Sequence, residues 1–487
     1  MVLRDSRYGL ASPERSLRSS SMQLTRRLVV CALVAGVVAG PASAAERMFV
    51  GFQDDPSFRW REDRASVLDQ AAQAGASIVR TTVYWSRIAP SRPANAANPF
   101  DPAYRWDDLD EIVRSAQLRG METMFTIWGT PDWANRGKGQ NRAPDRMSDL
   151  QAFAQALASR YSGTNPGLPH VRFYSVWNEP NLEQFLAPTF DAKGRPVSPF
   201  TYAKMYRAAY SGIKAGNRRA LVAIGETSPR GRDKPSRGPI QDSIAPATFA
   251  RLLSTVRPAL RFDAWAQHPY STLGGGPLQR ARFPNVQLVN LPQLEDGLKR
   301  WFRKRSVPIW VTEYGFETKP EEPKGVTPAQ QAAYARQTLQ LLRDLPYVDL
   351  FIWFILRDDP TSTWQSGLLN RNGTRKPAFA AFAAAAKPVD ARSPIIRVRV
   401  NQVPVVRIPV LELAARDGVG ETIGATIRLF NHGQLATVAQ LQTKIDVDGW
   451  ATFIFGKSAV RATYFVTFDL NDKNGNTLQR TATLVID

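Results

Sequence analysis

Residues 171–180 of this 487-residue chain read VRFYSVWNEP, a short apolar run that ends in an Asn-Glu pair and a proline. A second run of the same kind, PIWVTEYG at residues 308–315, also carries a glutamate near its end. β-Branched and aromatic residues dominate both runs, as they do in strands that are buried on both faces of a parallel sheet. The two runs therefore predict buried strands that each present a carboxylate at the carboxyl end.

Six further runs of this type lie between residues 47 and 388, and helical stretches separate them. Eight βα repeats, with no Gly-rich phosphate loop, favour a closed (β/α)₈ TIM barrel over an open doubly wound sheet. One helix start is explicit, because Thr327 takes the N-cap, Pro328 takes N1 and Gln330 completes a capping box. The predicted strands are 48–53, 77–85, 121–128, 171–178, 220–226, 262–269, 308–314 and 348–356.

After an alanine-rich helix that ends near Lys387, the pattern changes to strict alternation, as in Ile396-Arg397-Val398-Arg399-Val400. Alternating apolar and polar residues are typical of antiparallel strands. The same pattern returns at 425–430, 450–455, 463–470 and 481–486, with turn signals at 417–418, 448–449 and 474–476. We therefore predict an α/β protein with a catalytic barrel at 45–388, a linker at 389–394 and a small C-terminal β-sandwich domain at 395–487.

The N-terminal region has the features of a targeting segment. Arg26 and Arg27 precede an apolar run at 28–38, and Ala42-Ser43-Ala44 follows it. A basic region, a run too short to span a bilayer and an A-x-A site predict a secretory signal. We expect residues 1–44 to be an upstream extension and a signal peptide. The protein is then secreted or held in the cell envelope, without stable membrane insertion after signal removal.

The composition, 43% hydrophobic and 22% charged, is that of an ordinary globular protein. The only cysteine, Cys31, lies in the predicted signal, so disulfides and zinc-cysteine sites are excluded from the mature chain. The formal charge of +20 has two interpretations, a basic surface that is simply solvated or an affinity for acidic glycans or a polyanionic wall. The chain has no basic run with interleaved aromatic residues, which is the pattern that would indicate a nucleic-acid-binding module. Neither an HExxH motif nor an acidic calcium loop is present, and we expect no metal and no cofactor.

Strand-ending polar residues are the first candidates for function, because active sites of βα barrels form at the carboxyl ends of the strands. Glu179 and Glu313 end the predicted fourth and seventh strands, which face each other across the barrel mouth. One protonated and one ionised carboxyl group are what glycoside hydrolysis requires. Glu183, Glu226 and Glu317 also lie near strand ends, and we rank them below this pair. Glu226 is expected to line the cleft from the fifth strand.

On these residues the chain resembles clan A of the glycoside hydrolases, over about residues 47–388. Members of the clan carry an Asn-Glu acid/base at the end of strand four and a glutamate nucleophile at the end of strand seven. The resemblance implies that Glu179 is the acid/base and Glu313 the nucleophile of a retaining, double-displacement reaction. It also implies that Asn178 binds the 2-hydroxyl of the sugar.

Other strand ends extend the resemblance. Arg80 matches the arginine of the clan that contacts the nucleophile. His268-Pro269-Tyr270 matches its His-x-Tyr pattern, in which the tyrosine hydroxyl binds the nucleophile. Trp353 matches the tryptophan that floors the sugar subsite beside the cleaved bond.

Aromatic residues at or just after the second and third strands leave two interpretations open. Trp128, Trp85 and Trp133 either stack on sugar rings or pack in the core. Within the clan, residues 128–133 and 367–369 are most similar to the β-xylosidase/α-iduronidase family and its bacterial exopolysaccharide hydrolases, and a cellulase-family relative is the alternative.

The sequence thus predicts a glycosidase that acts on a poly- or oligosaccharide. Two other hypotheses remain: a secreted carbohydrate-binding protein that has lost turnover, and an envelope scaffold in which the β-domain does the work.

Overall fold

The computed structural model describes residues 48–165, 168–236, 240–361 and 364–389, and seven strands between residues 395 and 486. Eight parallel strands close into a barrel in which each strand pairs with the next and the eighth pairs with the first. The predicted (β/α)₈ barrel is therefore confirmed. Its strands are β1 Phe49–Gln53, β2 Ile78–Tyr84, β3 Glu122–Trp128, β4 Phe173–Val176, β5 Leu221–Thr227, β6 Ala264–Gln267, β7 Ile309–Tyr314 and β8 Val348–Phe354.

Helices follow the strands as the βα repeat requires. The helix Pro328–Arg343 begins where the sequence predicts, since the Thr327 side chain accepts a hydrogen bond from the Gln330 amide at 3.2 Å and the Gln330 side chain accepts one from the Thr327 amide at 2.9 Å. The helices are α1 Arg64–Gln73, α2 Trp85–Ile88, α3 Asp107–Gln117, α4 Asp132–Asn135, α5 Met147–Arg160, α6 Ser198–Gly216, α7 Pro246–Ser254, α8 Leu291–Phe302, α9 Pro328–Arg343 and α10 Pro377–Val389, with a π-helical turn at Pro56–Trp60 and a 3₁₀ turn at Leu288–Asn290.

The barrel interior changes from apolar to polar along the strands. The part of the interior that lies away from the barrel mouth is a separate cluster of buried apolar side chains. In this cluster the Phe173 ring contacts Phe49 of β1 and Trp310 of β7 across the barrel. Toward the mouth, Arg80 donates to Thr126 at 2.9 Å, and Thr126 lies 2.8 Å from Ser175. The apolar cluster therefore fills the barrel below a layer of polar side chains. The cluster contains Ile78, Met124, Phe173, Ala223, Ala264, Ala266, Trp310, Leu350 and Ile352.

The C-terminal part consists of two antiparallel sheets, as expected of a small β-sandwich domain. The strands are β9 Ile395–Val403, β10 Val406–Ala414, β11 Thr422–Asn431, β12 Gln434–Lys444, β13 Trp450–Ile454, β14 Ala462–Asn471 and β15 Thr477–Ile486. One sheet has the order β13-β10-β9 and the other the order β12-β11-β14-β15. Ile423, Ala425 and Ile427 alternate as buried residues along β11, so one face of the larger sheet is covered.

Two of these seven strands, β10 and β12, are missing from the sequence-based set. β10 contains Pro409, which argues against a strand, and β12 has small and polar residues where strand patterns have β-branched and aromatic ones. The turn signals at 417–418, 448–449 and 474–476 lie outside the described residues, as does most of the linker. The domain bounds 45–388, 389–394 and 395–487 stay predictions.

Residues 1–47 also lie outside the described part of the chain, so the upstream extension and signal peptide stay predictions. Among the described residues, no helix has both the length and the apolar character needed to cross a bilayer.

Candidate active site

The mouth of the barrel contains a cavity of about 880 Å³. The carboxyl ends of β1, β2, β4, β7 and β8 and the segment after β6 line its floor, and the βα loops form its walls. This volume lies in the range of pockets that bind small-molecule ligands. The floor carries Gln53, Thr82, Asn178, Glu179, Tyr270, Glu313 and Phe354, and aromatic residues of the walls include Trp60, Tyr84, Trp128, Phe185, Phe316 and Trp364.

Glu313, near the end of β7, faces this cavity. Nη1 of Arg80 donates to its Oε1 at 2.6 Å, and the hydroxyl of Tyr270 donates to its Oε2 at 3.2 Å. The pairing of β7 with β8 is irregular between Val311 and Tyr314, which lets Thr312 and Glu313 both reach the barrel mouth although they are consecutive. The structure therefore brings Arg80 and Tyr270 to Glu313 as expected.

Glu179 follows β4 in a tight turn. The amide of Trp177 still pairs with the carbonyl of Ile127 at 2.7 Å, but Trp177 and Glu179 both have positive φ angles, 71° and 37°. This backbone turns Asn178 and Glu179 into the cavity. One oxygen of Glu179 lies within 4.8 Å of one oxygen of Glu313. The two strand-ending glutamates predicted to form the site are therefore adjacent.

The environment of Glu179 favours its protonated form. Burial is the main cause that raises the pKa of Glu179 above its usual value, and the negative charge of Glu313 adds to it. His268 opposes both, because its Nδ1 lies 3.0 Å from Oε1 of Glu179. The net effect raises the pKa of Glu179, as a general acid requires.

A third carboxylate, Glu226, lies beneath the pair and not in the cleft. Its Oε2 is 2.7 Å from Nε2 of His268, 2.7 Å from the hydroxyl of Thr312 and 3.3 Å from Nη2 of Arg80. Burial alone raises the pKa of Glu226, but the charge of Arg80 and the contact with His268 outweigh it and lower the value to about 2. The expectation that Glu226 lines the cleft is therefore wrong, since its side chain is 0% exposed and is absent from the cavity wall.

Comparison with known proteins identifies the family of the barrel. A sequence model of the cellulase family, glycosyl hydrolase family 5, matches residues 46–355. The chain belongs to this family. It is thus a glycoside hydrolase with a clan A barrel, and its substrate is a carbohydrate. Of the two families considered from the sequence, the match favours the cellulase family.

Solved structures share the fold of this family 5 protein at low identity. A family 39 glycoside hydrolase from the gut symbiont Bacteroides cellulosilyticus WH2 is 16% identical, with a TM-score of 0.52, and the match covers 91% of this chain and 82% of that one. GH5_18 from Streptomyces cattleya, solved in complex with GlcNAc, is 19% identical, with a TM-score of 0.50, and the match covers 71% and 80%. These likenesses show the barrel fold alone. No curated protein matches the chain significantly.

Trp353 does not floor the cavity, and the assignment made from the resemblance is wrong. Its side chain is 0% exposed, packs against Phe316 and Phe382, and donates from Nε1 to the carbonyl of Ser366 at 2.9 Å. Side chains alternate along β8, and Leu350 and Ile352 belong to the interior cluster. The inward position at the mouth is therefore residue 354, and Phe354 lines the cavity.

This correction predicts different effects for two neighbouring aromatic residues of the family 5 barrel. Trp353→Phe should reduce the free energy of unfolding by about 1–3 kcal/mol, because it leaves a void beside Phe382, and should leave KM unchanged. Phe354→Ala should raise KM about tenfold with a smaller effect on stability, because it removes a cavity wall. Denaturant titration and steady-state kinetics of both variants test this. A raised KM in Trp353→Phe alone would restore the original assignment.

The structure separates the other candidates. Asn178 lines the cavity, and its Oδ1 accepts a bond from Nη2 of Arg80 at 3.4 Å. Trp128 lines the cavity beside Tyr84, with ring centroids 6.0 Å apart. Trp85 is instead buried in the core, and the partly buried Trp133 packs against it edge to face at 5.7 Å.

The two remaining candidate carboxylates, Glu183 and Glu317, each accept a hydrogen bond from a backbone amide. Oε2 of Glu183 accepts a bond from the amide of Asp242 at 3.1 Å. Glu317 lines the cavity wall, where it accepts a bond from the amide of Gln365 at 3.2 Å, and burial raises its pKa. Neither contacts Glu179 or Glu313, which supports their lower rank.

Sequence reasoning missed Gln53 and Trp364. Gln53 accepts a bond from Nη1 of Arg80 and donates to Thr82 at 3.2 Å, so it fixes the arginine from β1. The Trp364 ring lies 5.0 Å from that of Tyr270 and forms part of the cavity wall. Gln53 could have been found from the sequence, because it is a polar residue that ends an apolar strand. Trp364 lies in a loop, where no sequence pattern indicated a role in the site.

Glu179, His268 and Glu313 each place one potential metal-ligand atom within 4.8 Å of the others. Both ring nitrogens of His268 already face carboxylate oxygens, at 3.0 Å and 2.7 Å. A ring that donates from both nitrogens has no lone pair for a metal ion. This group is therefore better suited to proton chemistry than to metal binding.

Proposed function

We propose that this family 5 protein is a secreted, retaining glycosidase that cleaves an O-glycosidic bond of a poly- or oligosaccharide by double displacement. The observation that carries the proposal is the short distance between Glu179 and Glu313, within 4.8 Å for one oxygen of each. Retaining enzymes have carboxyl groups about 5–5.5 Å apart, whereas inverting enzymes need about 6.5–9.5 Å to hold a water between them. The observed distance supports a nucleophile that attacks the sugar directly.

In the first step the Glu313 carboxylate attacks the anomeric carbon and the bond to the leaving oxygen breaks. Glu179 gives its proton to that oxygen, so the leaving group departs as a neutral alcohol. Arg80 and Tyr270 hold one Glu313 oxygen each, at 2.6 Å and 3.2 Å, and thereby orient the carboxylate toward the cavity. The product of this step is a glycosyl ester of Glu313.

In the second step Glu179, now ionised, takes a proton from water. The resulting hydroxide attacks the anomeric carbon and the ester bond to Glu313 breaks, which regenerates both carboxyl groups. Asn178 lines the same cavity floor as both glutamates, which supports the proposed contact with the sugar 2-hydroxyl. The aromatic walls, including Trp60 and Trp128, offer faces on which sugar rings can stack.

The test is a screen of polysaccharides and aryl glycosides with the wild type and Glu313→Gln, followed by proton NMR of the first product. A reducing-end signal with the wild type only, and a product with the anomeric configuration of the substrate, supports the proposal. An inverted first product contradicts double displacement. Binding of a glycan by both proteins, without any hydrolysis, would favour the inactive carbohydrate-binding protein.

Secretion predicts a processed N-terminus. In a bacterial host that exports the full chain, the mature protein should begin at Ala45, because Ala42-Ser43-Ala44 follows the short apolar run. N-terminal sequencing of exported material measures this. Replacement of Ala42 and Ala44 by bulky residues should block processing. Recovery of residues 24–38 in the soluble protein would contradict the prediction.

A further inference from the structure

Glu226 is placed to act on both catalytic glutamates without touching a substrate. It is fully buried below the cavity, yet it contacts His268, which reaches Glu179, and Arg80, which reaches Glu313. A buried carboxylate is destabilising unless charged or donor groups surround it. Here the surrounding groups are the partners of the proposed acid/base and nucleophile.

The backbone of β5 is shaped to deliver this side chain. Pairing between β5 and β6 is irregular between Gly225 and Thr227, and Glu226 has a positive φ of 49°. Gly225 has a φ of 111°, and a Cβ there would lie 2.7 Å from the carbonyl oxygen of Ala266. Such irregularities commonly redirect a side chain beside an active site. They aim the Glu226 carboxylate into the polar layer of the barrel.

The contacts of His268 determine how many of its ring nitrogens carry a proton. Nε2 faces Oε2 of Glu226 at 2.7 Å, and Nδ1 faces Oε1 of Glu179 at 3.0 Å and Oε2 of Glu313 at 3.4 Å. Glu226 and Glu313 are the ionised carboxylates, and one of them faces each ring nitrogen. An ionised carboxylate only accepts hydrogen bonds, so both ring nitrogens must donate. The ring is then an imidazolium.

The charges that face the ring favour the same state. Glu179, Glu226 and Glu313 are the carboxylates around it, Arg80 is the neighbouring cation, and the Tyr270 ring lies 6.4 Å away. Burial opposes the charged form, but the three carboxylates outweigh it and raise the pKa of His268 to about 10.

We propose that Glu226 is a positioning residue of the glycosidase reaction, which keeps Nδ1–H of His268 directed at Oε1 of Glu179 and keeps Arg80 against Glu313. The inference rests on the proposed function. With Oε1 permanently accepting a bond from His268, the transferable proton of Glu179 has only Oε2 to occupy. A neutral His268 with a free Nδ1 lone pair would instead accept that proton and compete with the leaving oxygen.

The charge balance of the cluster supports this role. Three carboxylates, Glu179, Glu226 and Glu313, surround two cations, Arg80 and His268, and the proton on Glu179 makes the whole cluster neutral. Without the charge of Glu226 the cluster would carry an excess positive charge, which loss of a proton from His268 relieves. Glu226→Gln preserves the volume and removes only that charge.

Histidine NMR on the protein tests the proposal without any substrate. The chain has three histidines, so ¹⁵N-histidine labelling with His170→Gln and His432→Gln variants assigns the ring of His268. In the wild type His268 should stay doubly protonated from pH 5 to 8. In Glu226→Gln its acid dissociation constant should rise about 10³-fold, so that the ring loses a proton within this pH range, whereas Glu226→Asp, which keeps the charge, should retain the doubly protonated ring. Glu295→Gln, which removes a buried carboxylate on α8 paired with Lys299, is the matched control and should shift nothing.

Kinetics on a confirmed substrate supply the second readout. Glu226→Gln should lower kcat about 10²-fold for poor leaving groups, and much less for activated aryl glycosides, with little change in KM. A neutral His268 in the wild type at pH 7, or an unchanged His268 titration in folded Glu226→Gln, would overturn the proposal. The wild-type and Glu226→Asp measurements decide the matter if Glu226→Gln does not fold. If the NMR results are as expected but no glycoside is hydrolysed, the positioning role in catalysis and the proposed function fail together, while the charge assignment stands.

Discussion

Replacement of Glu313 by alanine is expected to reduce turnover of a confirmed glycoside by at least about 10⁴-fold, because the proposed mechanism requires this carboxylate to form the covalent bond to the sugar. The effect should fall on kcat and kcat/KM together, since the lost interaction exists only in the transition state and intermediate. Binding should persist, because Asn178 and the aromatic walls remain in place. Steady-state kinetics and binding calorimetry on the same variant measure the two effects.

The space left by the Glu313 carboxylate provides a sharper check on its role. Added azide or formate should restore part of the turnover of Glu313→Ala, and the product should have the inverted configuration, because the small anion attacks once from the nucleophile side. Glu317→Ala is the matched control, since Glu317 also lines the cavity but does not contact the catalytic groups. Rescue with retained configuration would contradict the assignment of Glu313 as nucleophile.

Replacement of Glu179 by alanine is expected to act differently according to the leaving group. With unactivated glycosides the rate should fall by about 10²–10⁴-fold, the usual contribution of general acid catalysis. Substrates with good leaving groups should form the glycosyl-enzyme almost normally, because they need no proton. Hydrolysis of that intermediate should then be slow, since no base activates the water, and a burst of aglycone should precede the steady state.

The pH dependence follows from the same group. Glu179 must be protonated for the first step, and its pKa is raised by burial and by Glu313. Activity should therefore persist above the usual pKa of a glutamate and should fall as the pH rises through the raised value. In Glu179→Gln this alkaline limb should disappear from kcat/KM for activated substrates. An unchanged alkaline limb in that variant would assign it to another group. Near wild-type rates in both Glu179→Ala and Glu313→Ala would show that the site is wrongly assigned.

The barrel and its two glutamates were predictable because each depends on local sequence. An apolar run that ends in a polar residue indicates both a buried strand and the end of that strand at the barrel mouth, and this located Glu179 and Glu313 without knowledge of the fold. Arg80 lies within its strand, and only the resemblance to clan A indicated it. The capping box at Thr327 is local in the same way. Strand pairing is not local, and the β-domain shows the consequence: β10 and β12 were missed because their own residues do not have the usual strand pattern.

The error at Trp353 has a specific cause. A one-residue shift moves a side chain to the opposite face of a strand, so the parity of β8 decided between Trp353 and Phe354. The apolar residues on both faces of a buried strand hide that parity in the sequence.

Glu226 was ranked low for a related reason. Its importance comes from His268, Thr312 and Arg80, which three other strands supply. No short stretch of sequence contains that set, and only the closed barrel brings it together.

The most direct test of the central claim is to identify the residue that becomes glycosylated. A 2-deoxy-2-fluoro glycoside of the sugar found in the screen, with an activated leaving group, slows both steps and allows the ester to accumulate. Mass spectrometry of the peptides should show one added glycosyl group, on Glu313. A label on Glu179, on Glu226 or on any other residue would contradict the account.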